Sequence, residues 1–304
     1  MKRWRILSFG EVLWDLLPGG ATFGGAPANL AGQAALLGLD AWVLSAVGDD
    51  VLGGAAVACL QRAGVQTALI QTTAEFPTGT VGVSVDSAGK PVFEIHTGSA
   101  WDEISWSDAA WQLLQTADAF CFGTLSQRGE RSRTTLRRLL SRLADRPVLR
   151  VLDVNLRRPF YSAELIRDSL AAADVLKLSD EELPLIAQAA GLSALSPPQT
   201  LLTELRARYD FRMVAMTAGA QGAILVTSGT VVHQPGIPVQ VIDTIGAGDA
   251  FTAALLRGLL QEDDPAAIAA AACRHAAQSC THAGALPSVG QHPDQPSDQP
   301  TDPR

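Results

Sequence analysis

Short apolar runs alternate with longer runs of helical periodicity along most of the chain. The strand-like runs are RILSFGEVL (5–13), AWVLSAVG (41–48), DAFCFG (118–123), VLRVLDVN (148–155), DVLKLS (174–179) and MVAMTAG (213–219). Helical periodicity marks residues 26–39, 53–64, 130–144, 180–191 and 249–260, with two further helical turns from 264 to about 283. Short apolar runs predict strands, and the longer periodic runs predict helices. Because the two alternate, we expect a mostly parallel sheet with helices on both faces.

Several segments fall outside this alternation. Residues 78–96 (TGTVGVSVDSAGKPVFEIH) contain two alternating runs around a glycine-containing turn, which predicts a β-hairpin. This hairpin and the polar segment near 12–22 do not fit the main layer, so we expect them to form a small β lid over one end of the sheet. Residues 222–227 and 230–236 look antiparallel. The stretch 288–304 is rich in Pro, Asp and Gln, a composition typical of disorder.

Composition narrows the classes of function. The 304 residues carry a net charge of −8, which disfavours binding to nucleic acid phosphates or to anionic lipid. No uninterrupted apolar run reaches the roughly 18 residues of a membrane span. The four cysteines form no dense framework, so a reducing cytoplasm is the expected compartment. These features favour a cytoplasmic protein without nucleic acid or membrane partners.

The segment DTIGAGDAF, residues 243–251, stands between a strand-like run and a helix-like run. Gly246, Ala247 and Gly248 lack bulky side chains, so their N–H groups can converge on an anion at the positive end of the following helix. Asp249 then places a carboxylate beside the anion, where it can take a proton from a hydroxyl. A plain helix N-cap is the alternative, because Asp is a favoured capping residue. Capping alone does not require Gly-Ala-Gly.

A second glycine-containing segment, GGAPANLAGQAALLG, occupies residues 24–38. Gly24 and Gly25 precede a predicted helix, and Asn29 lies in its first turns. Small residues let the backbone pass close to a ligand, and the amide of Asn29 can both donate to and accept from sugar hydroxyls. Tight packing at a glycine-rich helix start is the competing explanation.

Together the two segments resemble the ribokinase/PfkB family of carbohydrate kinases. Members of that family carry G-G-x-x-x-N-x-A with a later L-G, and D-T-x-G-A-G-D-x-F near the C-terminus. The resemblance implies a three-layer α/β/α fold over residues 1–287, with a β lid built from segments near 12–22 and 79–97. It also implies ATP and Mg²⁺ as cosubstrates and phosphorylation of a sugar hydroxyl.

The resemblance further implies roles for individual residues. By it, Asp249 is the general base, residues 246–248 form the anion hole, and the sugar is held by Asp15, Gly25 and Asn29. The segments GEVLWDLLP (10–18) and DVNLR (153–157) are similar to the fructokinase branch of the family. DVNLR follows a predicted strand, so we expect Asp153, Asn155 and Arg157 to face the pocket mouth. For Arg157, a solvated surface position is the alternative.

The segment KLSDEEL, residues 177–183, resembles the N-x-x-E motif of the family, with Ser179 in place of the asparagine. The resemblance places Lys177 and Ser179 near ATP and links Glu182 to the Mg²⁺ and phosphate network through water. A capping box, in which Ser179 caps a helix and Glu182 reaches back to its N–H, accounts for the same residues. Both explanations are compatible, since a fixed cap also orients the carboxylate.

Two further matches concern the nucleotide and a cation. TAGAQGAIL (217–225) is similar to the turn T-x-G-x-x-G, which implies that Thr217, Gly219 and Gly222 approach ATP. A β-turn between strands is an equally good explanation. Asp243 lies in the region where relatives bind a monovalent cation, so K⁺ is a candidate there.

The hairpin of the lid departs from the pattern of the branch. It offers Phe93 and His96 but no arginine, and a substrate that already carries a phosphate needs a cation there. A neutral ketose such as fructose is therefore the expected acceptor, and Phe93 is expected to contact the sugar. The alternatives are core packing for Phe93 and a surface position for His96. A nucleoside, a sugar acid or an inositol as acceptor, and a non-catalytic sugar- or nucleotide-binding regulator, stay open. Family analogy favours a homodimer.

Overall fold

The computed structural model describes residues 2–17, 19–85 and 91–286, and side chains at 83–85 and 91–93 lie outside that description. The predicted disordered stretch 288–304 also lies outside it. The strands are β1 Arg5–Phe9, β2 Leu13–Leu17, β3 Gly20–Gly24, β4 Asp40–Gly48, β5 Ile70–Thr73, β6 Gly79–Val85, β7 Pro91–Ile95, β8 Ala119–Phe122, β9 Leu149–Asp153, β10 Val175–Ser179, β11 Met213–Thr217, β12 Gly222–Val226 and β13 Val231–Pro235. The helices are α1 Ala26–Leu36, α2 Val51–Arg62, α3 Asp108–Leu114, α4 Glu130–Leu143, α5 Ala163–Ala171, α6 Leu183–Ala189, α7 Pro198–Tyr209, α8 Ala247–Leu260 and α9 Pro265–Ser279.

Within the described ranges, nine strands form the main sheet in the order β13-β12-β11-β10-β9-β8-β1-β4-β5. The pairs from β5 across to β11 are parallel, whereas β12 and β13 join as antiparallel neighbours. The chain passes from β1 to β4 on one side, and β8 returns to the other side of β1. Ligands of open α/β sheets bind at such a switch, beyond the carboxyl ends of the strands. The predicted mostly parallel sheet is confirmed.

The smaller sheet has the order β3-β2-β6-β7 and is called the lid below. It unites the two segments that did not fit the main alternation, with β2 pairing parallel to β6. Trp14 of β2 is fully buried, stacks edge-on against Phe23 at 5.7 Å and donates its indole N–H to Leu52 O of α2. Since β2 begins four residues after β1 ends, the lid lies at the carboxyl edge of the main sheet. The predicted small β lid is confirmed.

Helices cover both faces of the main sheet. One buried apolar cluster packs α1, α2, α8 and α9 against the sheet, and a second packs α3 to α7 against the opposite face. Successive strand residues point to opposite faces, so Ile6 belongs to the first cluster and Leu7 to the second. This is the expected three-layer arrangement. None of the helices in the described ranges is long and apolar enough to cross a membrane.

Several predicted boundaries are wrong for identifiable reasons. The single strand expected over 5–13 ends at Phe9, and after Gly10 the chain turns into the lid. The helix expected over 180–191 begins at Leu183, because the preceding residues form a turn. The predicted turns after residue 264 form one continuous helix, α9. The elements β5, α3, α5 and α7 were not predicted.

Candidate active site

Buried polar side chains gather where the parallel strands end. The carboxyl ends of neighbouring parallel strands meet at one edge of a sheet, so the loops that follow β1, β8, β9, β10 and β11 converge there. A pocket at this edge has apolar walls, and its polar lining includes Ser8, Glu11, Thr124, Asp153, Asn155, Asp249 and Thr252. Most of these side chains are buried, so their charges act in a poorly solvated environment.

The N-terminus of α8 is built around Gly246, the residue that precedes the helix. Its φ of 76° is left-handed, a conformation that glycine adopts without steric penalty. A Cβ at this position would lie 2.4 Å from the Cβ of Ala285, which leaves no room for a larger residue. No side chain caps α8. Asp249 lies in the first turn of the helix and is not its N-cap, so the plain-capping alternative for the segment 243–251 is wrong.

The uncapped start of α8 leaves backbone donors free for a ligand. The first hydrogen bond of the helix joins Ala250 N–H to Gly246 O, and Ala247 N–H donates to Thr244 O at 3.2 Å. The amides of Gly248 and Asp249 precede the helical ladder, where N–H groups have no intrahelical acceptor. The positive end of the helix dipole adds to their field. This geometry suits an anion such as a phosphoryl group.

Asp249 is a partly buried carboxylate with a pKa suited to proton transfer. It accepts a hydrogen bond from Asn29 Nδ2 at 2.9 Å. Burial, reinforced by the nearby Asp153 carboxylate, raises the pKa of Asp249 to about 7, while the Asn29 bond and the charges of Lys177 and Arg157 limit the rise. An acid with this pKa changes protonation near neutral pH, as a general base requires.

A buried ion pair lies beneath the start of α8. Lys177 Nζ lies 3.0 Å from Asp153 Oδ1, and Thr252 Oγ1 donates to Asp153 Oδ2 at 2.8 Å. Burial lowers the pKa of Lys177, but the neighbouring carboxylates outweigh it and the pKa is raised overall, so the ammonium stays charged. A Cβ on Gly248 would lie 3.1 Å from Nζ. The ammonium of Lys177 therefore lies against the backbone of the candidate anion hole.

Two more carboxylates, Glu11 of the pocket lining and Asp15 of the lid, have raised pKa values. Burial raises the pKa of Asp15 in β2 to about 6, against the charge of Arg157. Burial raises the pKa of Glu11 to about 7, against hydrogen bonds from backbone N–H groups and the charge of Arg157. Gly25 has a φ of 108°, and a Cβ there would lie 2.4 Å from Glu11 O. Gly25 thus permits a close approach between the start of α1 and the segment that joins β1 to β2.

Two of these residues behave differently from the expectations. Arg157 is exposed, as the solvated alternative predicted, yet its charge limits the rise in the pKa values of Glu11, Asp15 and Asp249. Glu11 was not predicted as a site residue. The signal for it was an acid inside the apolar run RILSFGEVL, since a fully buried carboxylate needs a partner or a function.

Glu182 connects two strand ends. Its Oε1 accepts Leu156 N–H at 2.6 Å, and its Oε2 accepts Ser179 N–H at 2.7 Å and Ser179 Oγ–H at 3.0 Å. The Ser179 contacts are those of the predicted capping box, although α6 begins only at Leu183. Three donors fix the orientation of the carboxylate. Its link to Mg²⁺ stays a prediction.

The turn between β11 and β12 contains the remaining nucleotide candidates. Thr217 ends β11, Gly219 opens a 3₁₀ turn and Gly222 begins β12. Ala218 N–H donates to Gly222 O at 2.8 Å, so the local structure is the turn between strands that the alternative described. It lies at the carboxyl edge of β11, and its contact with ATP stays a prediction.

The cation candidates and Phe93 have simple placements. Asp243 accepts N–H bonds from Ile245 at 3.0 Å and Gly284 at 2.9 Å, which ties together the loops on either side of α8 and α9. Phe93 pairs with Val83 between β6 and β7, and its side chain lies outside the described residues. In the described ranges no three His, Cys, Asp or Glu side chains cluster as metal ligands. Mg²⁺ binds through one or two carboxylates, water and substrate phosphates, so a single fixed carboxylate such as that of Glu182 is compatible with it.

Comparison with known proteins decides the family. The family model for pfkB family carbohydrate kinases matches residues 19–291. The chain belongs to this family. A fructokinase from Klebsiella pneumoniae is 33% identical over 303 residues, covering 94% of each chain.

Solved structures of pfkB kinases agree with this assignment. A fructokinase from Xylella fastidiosa with bound ATP is 25% identical, with a TM-score of 0.82 over 93% of this chain and 95% of that one. A fructokinase variant from Vibrio cholerae with fructose, ADP and potassium ion is also 25% identical, with a TM-score of 0.78 over 94% and 95%. The protein is thus an ATP-dependent carbohydrate kinase with the ribokinase-like fold, and the expected family is confirmed.

Proposed function

We propose that this pfkB kinase transfers the γ-phosphoryl group of ATP to a hydroxyl of a neutral ketose such as fructose, with Asp249 as general base. One observation carries the proposal: Asp249 lies partly buried beside uncapped backbone amides at the start of α8, with a pKa raised to about 7. A base and an anion site therefore adjoin, as phosphoryl transfer to a hydroxyl requires.

In this proposal each residue of the site has a task. Asp249 accepts the proton of the attacking hydroxyl. Asn29 donates a hydrogen bond to Asp249 Oδ2 and so fixes the orientation of the carboxylate. The amides of Gly248 and Asp249 and the Lys177 ammonium stabilise the charge on the transferred group. Mg²⁺, held on the Glu182 side, neutralises phosphate charge when bound. The nearby turn between β11 and β12 contacts the nucleotide.

A neutral polyol fits the acceptor side best. Glu11 and Asp249 line the pocket, Asp15 lies in the lid, and the exposed cation Arg157 interacts with all three carboxylates. A sugar acid or a sugar phosphate meets like-charge repulsion there. Asn29 Oδ1 is buried and has no hydrogen-bond partner among the residues the structure covers, so it suits a hydroxyl donor. The fructokinase relatives support the choice of a ketose.

An ADP-release screen with ATP and Mg²⁺ tests the proposal. The acceptors are fructose, ribose, a sugar acid, adenosine and inositol, and the product is identified by mass. We expect turnover with fructose to exceed turnover with the others. A preference for adenosine, the sugar acid or inositol refutes the ketose but keeps the kinase. ATP binding without ADP release on any acceptor supports a non-catalytic regulator instead.

A further inference from the structure

Outside the pocket, the guanidinium of Arg128 forms a buried ion pair with Asp102 and contacts several neighbouring residues. Arg128 follows the 3₁₀ turn Leu125–Gln127 and lies two residues before the start of α4. Its Nε lies 2.7 Å from Asp102 Oδ1 and its Nη2 lies 3.0 Å from Asp102 Oδ2, a two-point pairing. Only 6% and 9% of the two side chains are exposed. Such geometry fixes the orientation of the guanidinium as well as its position.

Arg128 is bonded directly to the segment that leaves the lid. Residues 96–103, called the exit segment here, follow β7 and include a 3₁₀ turn at Ala100–Glu103. Arg128 Nη2 donates to His96 O at 2.6 Å, and the guanidinium lies 3.9 Å from the ring centre of Trp101. Trp101 in turn supports the start of β6, since a Cβ on Gly79 would lie 2.3 Å from its indole nitrogen. Arg128 therefore holds both hairpin strands of the lid at their base.

The same guanidinium contacts the loop that carries Arg157. Phe160 lies 4.6 Å from the Arg128 guanidinium, and its N–H donates to Arg157 O at 2.8 Å. Cations over aromatic rings are attracted by the ring quadrupole, and burial strengthens the attraction. The charge of Arg128 also limits, slightly, the rise in the pKa of Glu11, which lines the pocket. One side chain thus contacts both the exit segment and the Arg157 loop, and its charge acts on a carboxylate of the pocket wall.

Stability alone does not account for this ion pair. Buried ion pairs are often no more stabilising than apolar residues of similar size, because both charges lose their hydration. Arg128 Nη1 is buried and has no partner among the residues described, so part of that loss stays uncompensated. Directional bonds to separate segments do fix the relative position of those segments. The hairpin itself contains no arginine, and the structure brings one to its base from the loop before α4.

We propose that Arg128 is a positioning residue that couples the lid to the Arg157 loop, so that both sides of the acceptor pocket move together. The inference rests on the proposed acceptor pocket and concerns its assembly. Closing a lid over a kinase site excludes water, which otherwise competes with the sugar as acceptor. Loss of the coupling weakens sugar binding and admits water, while the nucleotide side beyond β10 is unaffected.

The test compares Arg128→Met and Arg128→Lys with Arg137→Met as matched control. Arg137 pairs with Asp168 on the surface, where half of each side chain is exposed. For each variant the KM values for acceptor and ATP, kcat, the ratio of ADP released to sugar phosphate formed, and the melting temperature are measured. We expect Arg128→Met to raise the acceptor KM about tenfold or more and to raise the ADP-to-product ratio, with KM for ATP unchanged.

The remaining outcomes separate positioning from simple stability. Arg128→Lys keeps the charge but not the two-point pairing, so we expect a smaller shift in the same direction. If Arg128→Met does not fold, Arg128→Lys and Asp102→Asn decide. A lowered melting temperature with acceptor KM and ADP-to-product ratio like those of the control overturns the proposal. The comparison uses whichever acceptor the unchanged enzyme phosphorylates, so a wrong sugar contradicts the proposed function and leaves this inference testable.

Discussion

Replacing Asp249 with asparagine separates the proposed catalytic role of this carboxylate from its effect on stability. Asparagine has the same shape and its side-chain oxygen still accepts from Asn29, but it cannot take a proton. A general base contributes about 10²–10⁴ in rate, so kcat is expected to fall by that factor, or about 3–5 kcal/mol in barrier. Binding of ATP is expected to persist.

The same substitution is expected to stabilise the fold at alkaline pH. The pKa of Asp249 is raised to about 7, from an ordinary value of about 3.9. Between these two pKa values the carboxyl group keeps its proton in the folded state but has lost it in the unfolded state, so stability falls as pH rises from about 4 to 7. At about 1.4 kcal/mol per unit, the ionised carboxylate costs about 4 kcal/mol above pH 7. Asp249→Asn removes this cost.

The assay is urea unfolding of both proteins at pH 5.5 and pH 8, with ADP release followed over the same range. The stability advantage of the variant is expected to be larger at pH 8 than at pH 5.5. The wild-type rate is expected to fall about tenfold per unit below pH 7, as its base becomes protonated. Normal turnover by the variant refutes the base assignment. A variant less stable than wild type at pH 8 refutes the account of the raised pKa.

Other positions in the site make separate predictions. In Lys177→Met the Asp153 carboxylate stays buried without its ion-pair partner, so we expect the free energy of unfolding to fall by about 3–5 kcal/mol and to recover in the double variant with Asp153→Asn. An unchanged urea midpoint for Lys177→Met contradicts the pairing. Gly248→Ala crowds Lys177 Nζ at 3.1 Å, and we expect kcat to fall about 10–100-fold at an unchanged melting temperature. Asp15→Asn is expected to raise the KM for the acceptor by about 10–100-fold and to leave the KM for ATP unchanged, and the wild-type KM for the acceptor is expected to rise below pH 6, where Asp15 becomes protonated. Equal effects on the two KM values contradict the placement of Asp15 near the acceptor.

The alternation of strands and helices was predictable because the parallel strands are buried on both faces. Such strands read as continuous apolar runs, as MVAMT of β11 does with every residue buried or nearly so. The missed elements lack that signal. In β5 the sequence IQTT contains one aliphatic residue and none of the four is fully buried. The helix α5 spans only nine residues, too few for its apolar face to stand out from loop sequence.

Within the site, sequence locality decided what could be found. Gly246 to Asp249 are neighbours in the chain, so one turn between a strand and a helix predicted the anion site and its carboxylate. Lys177 lies inside the buried strand VLKLS, and a buried lysine already demands a carboxylate partner. That partner is Asp153, its register neighbour in the adjacent parallel strand. Strand order was the missing information, since periodicity does not specify which strands are adjacent.

Strand order alone would still not have revealed Arg128. Its contacts come from His96 and Asp102 in the exit segment and from Phe160 in the loop after β9, 26 to 32 residues away along the chain. None of these segments has a periodic pattern, and their mutual positions arise only when the lid packs on the main sheet. The lid hairpin, residues 78–96, contains no arginine of its own. Arg128, from the loop before α4, contacts the base of the lid through a hydrogen bond to His96 O, an ion pair with Asp102 and a contact with the ring of Trp101. Because the guanidinium is paired, it positions the lid without adding an unpaired charge to the acceptor pocket.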